Sequence, residues 1–374
     1  MSSTDIRAEI AGVWLPNKGA ELMAVTAVTE LRARIPGIAF CSKAQGPDAR
    51  RAALGMPAFE PRKGSVWHRT EKLWPGIARP RATRAERPGV THVIDASGFA
   101  YGDSWGAGKA RSRAAAYIAA GYPTYLLPQA FGPFETPKLR GIMQDIVRGA
   151  RSISARDRQS QAHLEGLGTG REITVVPDIT LGLAPDPARV AAPDTPFAAV
   201  VINAMLLKSG TFGEDRLMAL YRDILTTIAN CGVAAKIVLH EPEADRTLSE
   251  ELAAFGGADL VAFDDPLDIK SYLSRARVVV TARFHGLANG LSCGVPSLAV
   301  GWSHKYAELL EDFGTPEMMF QGDDAAFLAR IREQLTSDEA QRAVRARLLE
   351  RKAAFARTLA RYWDGIAEDM LRQR

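Results

Sequence analysis

The residues best suited to bind an anion and move a proton lie together in one segment, residues 278–290. Val278–Thr281 reads as a buried strand and Phe284 as the start of a helix, which puts Arg283 and His285 at the strand's carboxyl end. Ligands bind at that edge of open parallel sheets, and the unpaired N–H groups of a helix start favour an anion. Arg283 would grip a phosphate or carboxylate with a bidentate fork, and His285 would exchange a proton near neutral pH. In the alternative reading, Arg283 pairs with a structural acid and His285 caps a turn.

Two further residues could hold the same anion. Residues 297–300 read as the next strand, and Lys305 follows near the next helix start, again at the sheet edge. Asn17 opens the first helix of the chain, where its amide could reach a ligand. Arg283, Lys305 and Asn17 are therefore predicted to bind the anion, with His285 and Arg283 as the catalytic pair.

A similar strand-to-helix step occurs in the first half of the chain. Ser152–Ala155 reads as a strand and Arg156 as its edge residue, so Arg156 is a further predicted anion contact. Asp157 follows directly, and Asp178 ends the next strand. Both are predicted to support the site. The alternative for Asp157 is that it caps the helix after it, and Asp178 would hold Arg156.

A glycine-rich loop after another strand offers side chains that can hold a sugar. The loop spans residues 95–106, and a second strand-end loop contributes an amide. The predicted sugar contacts are Ser97, Tyr101, Asp103, Trp105 and Gln129. The same residue types also build plain turns, which is the alternative for each of them.

The composition is that of a globular protein, with 47% hydrophobic and 24% charged residues among 374. No apolar run reaches the roughly 18 residues that cross a membrane, and the opening MSSTDIRAEI carries charges where a signal peptide needs an apolar run. The three cysteines are far apart and in no metal-ligand spacing, so neither a disulfide framework nor a metal site is predicted. We therefore expect a reduced, cytoplasmic protein.

Short β-rich runs alternate with helical patterns in both halves of the chain, which predicts an α/β protein with parallel sheets. Residues 185–196 contain four prolines and are predicted to be a stiff linker between domains. The pattern predicts two Rossmann-like lobes facing a cleft, an N-terminal lobe over 1–184 and a C-terminal lobe over 197–336. Apolar residues at steps of three, four and seven predict one long helix over 337–374.

A basic insertion, residues 46–89, interrupts the first lobe. From Arg50 to Arg87 it carries ten basic and three acidic residues, a net charge of +7 (10 − 3). A solvated loop is the favoured interpretation. The alternatives are a flap over an anionic substrate and a peripheral contact with the inner face of a membrane. No recognised motif accompanies Trp67 and Trp74, so no nucleic-acid partner is predicted.

Taken together and in order, these segments resemble the polysaccharide pyruvyl transferase family. The resemblance runs from the Asn17-Lys-Gly-Ala-Glu21 helix start to the Gly301-Trp-Ser-His-Lys305 step and so covers most of the chain. The segments that carry it between these two are 127–134 (LPQAFGPF), 154–157 (SARD) with Ser160 and Leu167-Gly168, 176–178 (VPD), 283–285 (RFH) and 294–296 (GVP). Each segment alone is unspecific, whereas the ordered set is strongly specific.

The resemblance implies a fold similar to that of GT-B glycosyltransferases and a transfer reaction. The family moves the enolpyruvyl group of phosphoenolpyruvate onto two hydroxyls of a sugar, which forms a cyclic ketal and releases phosphate. It implies phosphoenolpyruvate as co-substrate without a further cofactor, and an acceptor that is a sugar or a lipid-linked oligosaccharide of a cell-surface polysaccharide. In these terms Arg156, Arg283 and Lys305 would hold the donor's carboxylate and phosphate, and His285 would act as acid or base.

The chain departs from the family pattern at Ala96-Ser97-Gly98, where a run of glycines is common, and this leaves the acceptor least defined. Two alternative functions share the expected fold. A GT-B glycosyltransferase would use a nucleotide sugar and show an acid that grips the ribose, for which Glu308 is the candidate. A non-catalytic protein that binds sugars or anions is the second alternative.

Overall fold

A computed structural model describes residues 6–15, 17–43, 47–58, 87, 89–301 and 303–373 of the chain. These residues form two compact units. The first unit comprises the described residues within 1–15, 23–179 and 358–374, and the second unit comprises those within 16–22 and 180–357. Residues 16–22 thus belong with the later part of the chain, and residues 358–374 with the earlier part. The sequence predicted a boundary at 185–196 and did not predict that residues 16–22 and 358–374 each belong to the other unit.

The first unit is built on a parallel sheet of seven strands. The strands are β1 (Arg7–Ala11), β2 (Ala39–Cys41), β3 (His92–Asp95), β4 (Phe99–Tyr101), β5 (Thr124–Phe131), β6 (Ser152–Ala155) and β7 (Thr174–Val175). Their order is β2-β1-β3-β5-β6-β7, with β4 paired to β5. The chain therefore runs outward from β1 to β2 and returns to β3 on the other side of β1, so the strand order reverses between β1 and β3.

Helices cover this sheet because its strands are apolar on both faces. All eight residues of β5 are buried, which is typical of a parallel strand enclosed between layers. The helices of this part of the chain are α1 (Lys18–Arg34), α2 (Asp48–Ala53), α3 (Gly106–Ser112), α4 (Ala114–Ala119), α5 (Pro137–Gly149) and α6 (Arg158–Glu165). Helix α5 buries Leu139, Met143 and Ile146, which lie three or four residues apart on one face.

The second unit repeats the design with five parallel strands. They are β8 (Phe197–Val201), β9 (Ala234–Leu239), β10 (Asp259–Ala262), β11 (Val278–Thr281) and β12 (Ser297–Ala299), in the order β10-β9-β8-β11-β12. Its helices are α7 (Met205–Lys208), α8 (Glu214–Asn230), α9 (Arg246–Gly256), α10 (Pro266–Leu273), α11 (Phe284–Ser292), α12 (His304–Asp312) and α13 (Asp324–Thr336). Here the strand order reverses between β8 and β11.

The long C-terminal helix expected from the apolar stripe is present as α14 (Asp338–Arg372). Within the first unit, the Asp369 carboxylate of α14 accepts hydrogen bonds from the Tyr125 hydroxyl at 2.8 Å and the Arg151 guanidinium at 2.7 Å. Within the second unit, Arg277 pairs with Asp338 at 2.6 Å. Each unit therefore holds its own part of the helix by polar contacts as well as by buried apolar side chains.

Two predicted elements differ from the observed ones, each for a local reason. The first strand was expected over 10–15, but β1 ends at Ala11 because Gly12 takes a positive φ of 81° that breaks the extended chain. The helix expected over 107–120 breaks at Arg113, whose ψ of −118° is not helical. The first change places Val13 and Trp14 beyond the carboxyl end of the sheet.

Most of the basic insertion, residues 59–86 and 88, lies outside the described residues, as do Trp67 and Trp74. The predicted membrane contact of the insertion falls there. Its described end is anchored, because the Arg87 guanidinium donates to the buried Glu9 carboxylate at 2.8 Å. Among the described helices, none is long and apolar enough to cross a membrane.

The proline-rich segment joins the second unit instead of standing apart from it. Residues Pro187–Arg189 form a short 3₁₀ helix. Arg189 pairs with Asp268 at 2.7 Å and with Asp265 at 3.0 Å, both on or next to α10. The stiffness expected from the prolines is thus reinforced by ion pairs.

Candidate functional site

Polar and charged side chains of the second unit gather at the carboxyl edge of its sheet, where the strand order reverses. Asn203 follows β8, His240 and Glu241 follow β9, and Arg283 with His285 follow β11. Open parallel sheets bind ligands at such a reversal because the loops on either side diverge and leave a crevice. This edge is therefore the candidate site of the second unit.

Arg283 is held by two carboxylates. Its Nε donates to Asp245 Oδ2 at 2.8 Å, Nη2 donates to the second Asp245 oxygen, and Nη1 donates to Glu241 at 2.5 Å. Burial lowers the pKa of Arg283, but the hydrogen bonds and negative charges of Asp245 and Glu241 outweigh burial and raise it. The bidentate face predicted to grip the donor is thus occupied by Asp245, which corrects the predicted role of Arg283 and agrees with the alternative of a structural ion pair.

Asp245 and Asn203 fix this cluster to the sheet. Asp245 is wholly buried and also accepts a hydrogen bond from the backbone N–H of Ala204 at 3.0 Å. The Asn203 amide donates to the Ala282 carbonyl at 2.9 Å and so ties the end of β8 to the end of β11. Arg283 therefore acts as a brace that sets the position of the residues after it.

His285 packs directly on the start of helix α1. A Cβ atom added to Gly19 would lie 2.2 Å from the His285 Nδ1 atom, far inside contact distance. Asn17 caps the same helix start, because its Oδ1 accepts from the Ala20 N–H at 3.1 Å. The structure therefore brings His285 and Asn17 to one place, as the sequence analysis expected of residues that bind one ligand. Donor binding by Asn17 stays a prediction.

The same corner contains Lys18 and His240. Lys18 Nζ pairs with Glu21 at 3.2 Å and donates to the Asp264 carbonyl. His240 is buried, and its pKa lies well below the usual value, first because of burial and then because of the positive charges of Arg283, His285 and Lys18. His240 is therefore neutral at pH 7, which leaves Lys18 and Arg283 as the charged neighbours of His285 within this group.

Lys305 lies at the start of α12 and approaches the aromatic ring that precedes His285. Its ammonium is 5.5 Å from the centre of the Phe284 ring, and that ring contacts the His285 imidazole edge-on at 5.4 Å between centres. The residues that precede α11 and α12, Arg283 and Ser303, make no capping hydrogen bond with their own side chains. Two helix starts and one ammonium group thus point to an anion beside His285. Glu308 lies one turn further along α12 and is half-buried.

The contact between Gly19 and His285 predicts a clear functional defect. Gly19→Ala must push the imidazole away, and a displacement of about 1 Å lowers turnover by on the order of 10²-fold when the displaced group is catalytic. Gly141→Ala is the matched control, because Gly141 also lies in a helix but has open space around its Cβ position. Turnover with a competent acceptor should fall for Gly19→Ala only. Equal turnover of the two variants would contradict a role for His285.

Sequence reasoning missed Asn203, His240, Glu241 and Asp245. Each follows the end of a strand that the sequence did predict, β8 or β9. The rule that singled out Arg283, namely a polar residue directly after a buried strand, would have found Asn203 and His240 as well. Glu241 and Asp245 carry no such mark, because their role depends on Arg283 being near.

In the first unit, Arg156, Asp157 and Asp178 also come together at a sheet edge. Arg156 Nη1 pairs with Asp178 Oδ2 at 2.9 Å, and both side chains are buried. Asp157 caps α6, because its Oδ1 accepts from the Ser160 N–H at 2.7 Å. Both aspartates therefore have the supporting roles that the sequence analysis favoured. Direct contact of Arg156 with the donor stays a prediction.

Three predicted sugar contacts are used inside the first unit and are corrected. Tyr101 is wholly buried and donates its hydroxyl to Asp95. Gln129 is wholly buried as well. Asp103 accepts hydrogen bonds from the Thr136 hydroxyl, from the Glu135 N–H at 2.7 Å and from the Thr136 N–H at 3.2 Å. The Thr136 hydroxyl first, and then the two backbone N–H groups, lower the pKa of Asp103. Tyr101 and Asp103 are thus engaged by other protein groups, and Gln129 is enclosed in the core.

Of the other two predicted contacts, Trp105 lies at the surface and Ser97 is buried. Trp105 is 43% exposed, with the Lys109 ammonium 3.6 Å from its ring centre. Ser97 is buried, donates to the Gly12 carbonyl at 3.3 Å and accepts from Arg113 at 3.1 Å. Trp105 is therefore the residue of the five whose side chain can stack on a sugar ring.

Two parallel α/β units with polar clusters at their sheet edges define a protein of the GT-B class. UDP-GlcNAc 2-epimerase from Neisseria meningitidis, bound to UDP-GlcNAc, has a TM-score of 0.62 at 10% identity, covering 99% of this chain and 100% of that chain. A putative UDP-N-acetylglucosamine 2-epimerase from Listeria monocytogenes scores 0.59 at 14% identity, covering 97% and 93%. The glycosyltransferase SnogD from Streptomyces nogalater scores 0.53 at 16% identity, covering 96% and 99%. At these identities the likeness shows the fold alone.

The family itself is shown by sequence. The polysaccharide pyruvyl transferase family matches residues 17–304, which span both units and include Gly19, Arg283 and His285. The chain belongs to this family. No curated protein matches it in a sequence comparison.

Proposed function

We propose that this protein transfers the enolpyruvyl group of phosphoenolpyruvate to two hydroxyls of a sugar, forming a cyclic ketal and releasing phosphate. The observation that carries the proposal is the position of His285, against the Gly19 end of α1 and next to the Phe284 ring that Lys305 approaches. Membership of the pyruvyl transferase family supports it. The reaction needs a proton-transfer group next to a site for an anion, and this corner offers both.

Lys305 and the starts of α11 and α12 are assigned to the donor's carboxylate and phosphate. Arg283 and Lys18 are each engaged with carboxylates, so they contribute charge and position. His285 exchanges the proton. One sugar hydroxyl adds to C2 of the enolpyruvyl group, C3 gains a proton and becomes a methyl group, a second hydroxyl closes the ketal, and phosphate leaves with the remaining proton. No cofactor besides phosphoenolpyruvate is needed for this balance.

The acceptor contacts are assigned to the first unit. Trp105 offers an exposed ring for stacking, and Ser97 a hydroxyl close to the Arg113 guanidinium. A sugar or a lipid-linked oligosaccharide is the proposed acceptor, as the family name suggests for a polysaccharide precursor.

A nucleotide-sugar glycosyltransferase is the second candidate function. Two observations favour it: the fold is similar to that of proteins such as the UDP-GlcNAc-bound epimerase, and Glu308 lies on α12 within one turn of Lys305. In this candidate function a nucleotide sugar replaces phosphoenolpyruvate as the donor, and the helix starts bind the phosphate groups of the nucleotide.

A thermal-shift screen with phosphoenolpyruvate, phosphate, UDP and GDP separates these functions. A ligand at 100 times its dissociation constant adds about 2.7 kcal/mol to the native state, enough for a shift of several degrees. We expect phosphoenolpyruvate to stabilise the protein, and Lys305→Gln to remove most of that shift. Lys208→Gln is the matched control, since Lys208 is an exposed lysine of the same unit, on α7.

Other outcomes of the screen decide between the alternatives. Stabilisation by a nucleotide alone would contradict pyruvyl transfer and favour the glycosyltransferase. Stabilisation by phosphoenolpyruvate without phosphate release, across a broad panel of acceptors, would favour a non-catalytic binding protein.

A further inference from the structure

The second unit encloses a lysine side chain that the proposed function does not use. Lys270 lies on α10 and is wholly buried. Burying an ammonium group costs free energy unless hydrogen bonds compensate for the lost water. The acceptors of Lys270 therefore identify the part of the fold that its ammonium holds in place.

The Lys270 ammonium joins three segments of the chain. Its Nζ donates to the Ser292 hydroxyl at 2.8 Å, to the Thr180 carbonyl at 3.1 Å and to the Asn289 side-chain oxygen at 3.5 Å. Asn289 and Ser292 lie on α11, and Thr180 is the first residue of the second unit after the chain leaves the first. An ammonium group has three N–H donors, so this one group can tie α10, α11 and the entering segment together.

The two acceptors on α11 lie on the helix face that carries His285. Residues at steps of four and seven share one face of an α-helix, and His285, Asn289 and Ser292 have this spacing. They form a polar stripe about 10 Å long, at 1.5 Å per residue. The ammonium thus holds one end of the stripe, and the imidazole is the other end.

A different face of α11 packs closely on the sheet. A Cβ atom at Gly286 would lie 2.5 Å from the Thr281 hydroxyl, and one at Gly290 would lie 2.2 Å from the Ser297 hydroxyl. These contacts set how near the helix lies to β11 and β12. The hydrogen bonds of Lys270 are directional, so they set the rotation of α11 about its axis.

Rotation of α11 matters because His285 fits closely against Gly19. The His285 Nδ1 atom lies only 2.2 Å from where a Gly19 Cβ would be. Side-chain atoms lie about 5–6 Å from a helix axis, so a rotation of roughly 10° moves the imidazole by about 1 Å. A displacement of about 1 Å lowers turnover by on the order of 10²-fold when the displaced group is catalytic.

We propose that Lys270 is a positioning residue for His285, because its bonds to Ser292, Asn289 and Thr180 set the rotation of α11 and thereby the place of the imidazole. Lys270 acts through the helix and not on the reacting atoms. The expected effect on turnover rests on the proposed function, whereas the effect on the place of the imidazole does not.

Lys270→Met tests the proposal, because it removes the ammonium and keeps an unbranched side chain. We expect turnover with a competent acceptor to fall about 10- to 100-fold. The affinity for phosphoenolpyruvate should fall at most a few-fold, since rotation about the axis leaves the N–H groups of the helix start in place. Ser292→Ala removes one acceptor and should lower turnover by about 2- to 10-fold.

Ser271→Ala is the matched control. Ser271 is the next residue of α10 and is also wholly buried, but its hydroxyl accepts from the Asp186 N–H at 3.0 Å, in the proline-rich segment. Its turnover should equal that of the unsubstituted protein. Turnover of Lys270→Met within twofold of the unsubstituted protein overturns the proposal. If Lys270→Met does not fold, an unchanged turnover of Ser292→Ala overturns it.

A double variant separates positioning from a general loss of structure. If Lys270 acts through His285, adding Lys270→Met to His285→Ala lowers turnover no further, because the group that it positions is already gone. A further fall as large as that caused by Lys270→Met alone would show that Lys270 acts elsewhere.

A measurement without turnover separates failure of this inference from failure of the proposed function. The imidazole resonances of His285, in protein labelled with ¹⁵N-histidine and assigned with His285→Ala, should shift in Lys270→Met and Ser292→Ala but not in Ser271→Ala. Unchanged resonances in the first two variants reject the positioning role whatever reaction the protein catalyses. Shifted resonances in a protein that releases no phosphate from phosphoenolpyruvate support the positioning role and reject pyruvyl transfer.

Discussion

His285→Ala should lower turnover by about 10²–10⁴-fold, which is the usual contribution of a general acid or base. The imidazole contacts the Phe284 ring, which the Lys305 ammonium approaches, and packs on the Gly19 end of helix α1. Removing it leaves the helix starts and the Lys305 ammonium in place. Stabilisation by phosphoenolpyruvate should therefore change little. The measurement is phosphate release from phosphoenolpyruvate with a competent acceptor, alongside a thermal-shift titration.

The pair of readouts separates a catalytic role from a structural one. If turnover falls while donor stabilisation is retained, His285 acts on the reacting groups. If both are lost together with native stability, the ring is a packing element between α1 and α11. If the turnover of His285→Ala stays within a few-fold of that of the unsubstituted protein, His285 is not the proton-transfer group.

Asp245→Ala should destabilise the second unit by about 3–5 kcal/mol, the usual loss when one partner of a buried ion pair is removed. Arg283 would keep only Glu241, whose side chain is 23% exposed, against a guanidinium that is 10% exposed. The Ala204 N–H would also lose its acceptor. For a unit of this size, the loss corresponds to a fall in Tm of roughly 6–20 °C.

A matched control shows whether burial is the cause. Glu251 pairs with Arg222 in the same unit at 3.0 Å, but both side chains are more than 40% exposed. Glu251→Ala should therefore change stability by about 1 kcal/mol at most. Thermal and urea unfolding of both variants provides the measurement, and equal losses would show that Arg283 is not a buried brace.

The paired state of Arg283 also changes how the family motif is interpreted. The three residues 283–285 combine a brace, an aromatic ring and an imidazole, and each has a different task. The Phe284 ring is close to both the Lys305 ammonium and the His285 imidazole. A substitution of Arg283 would thus change the position of His285, and its effect on donor affinity would be indirect.

Several parts of the fold and the site could be predicted from the sequence because they depend on local patterns. Val278–Thr281 was predicted with the bounds that the structure shows, since a short apolar run marks its own element. The long C-terminal helix followed from its apolar repeat. His285 was found because a residue after a buried strand lies at the sheet edge whatever the partner strands are.

The tertiary structure alone decided which side chains meet. Arg283 and Asp245 lie 38 residues apart, and their pairing depends on β9 and β11 flanking β8. Gly19 reaches His285 because residues 16–22 belong to the second unit, which no local pattern indicates. Tyr101 and Gln129 turned inward for the same reason: whether a polar residue after a strand is exposed depends on the donors and acceptors that distant segments bring to it. The sequence by itself determined the elements and the sheet edges, whereas strand order and burial determined the partners.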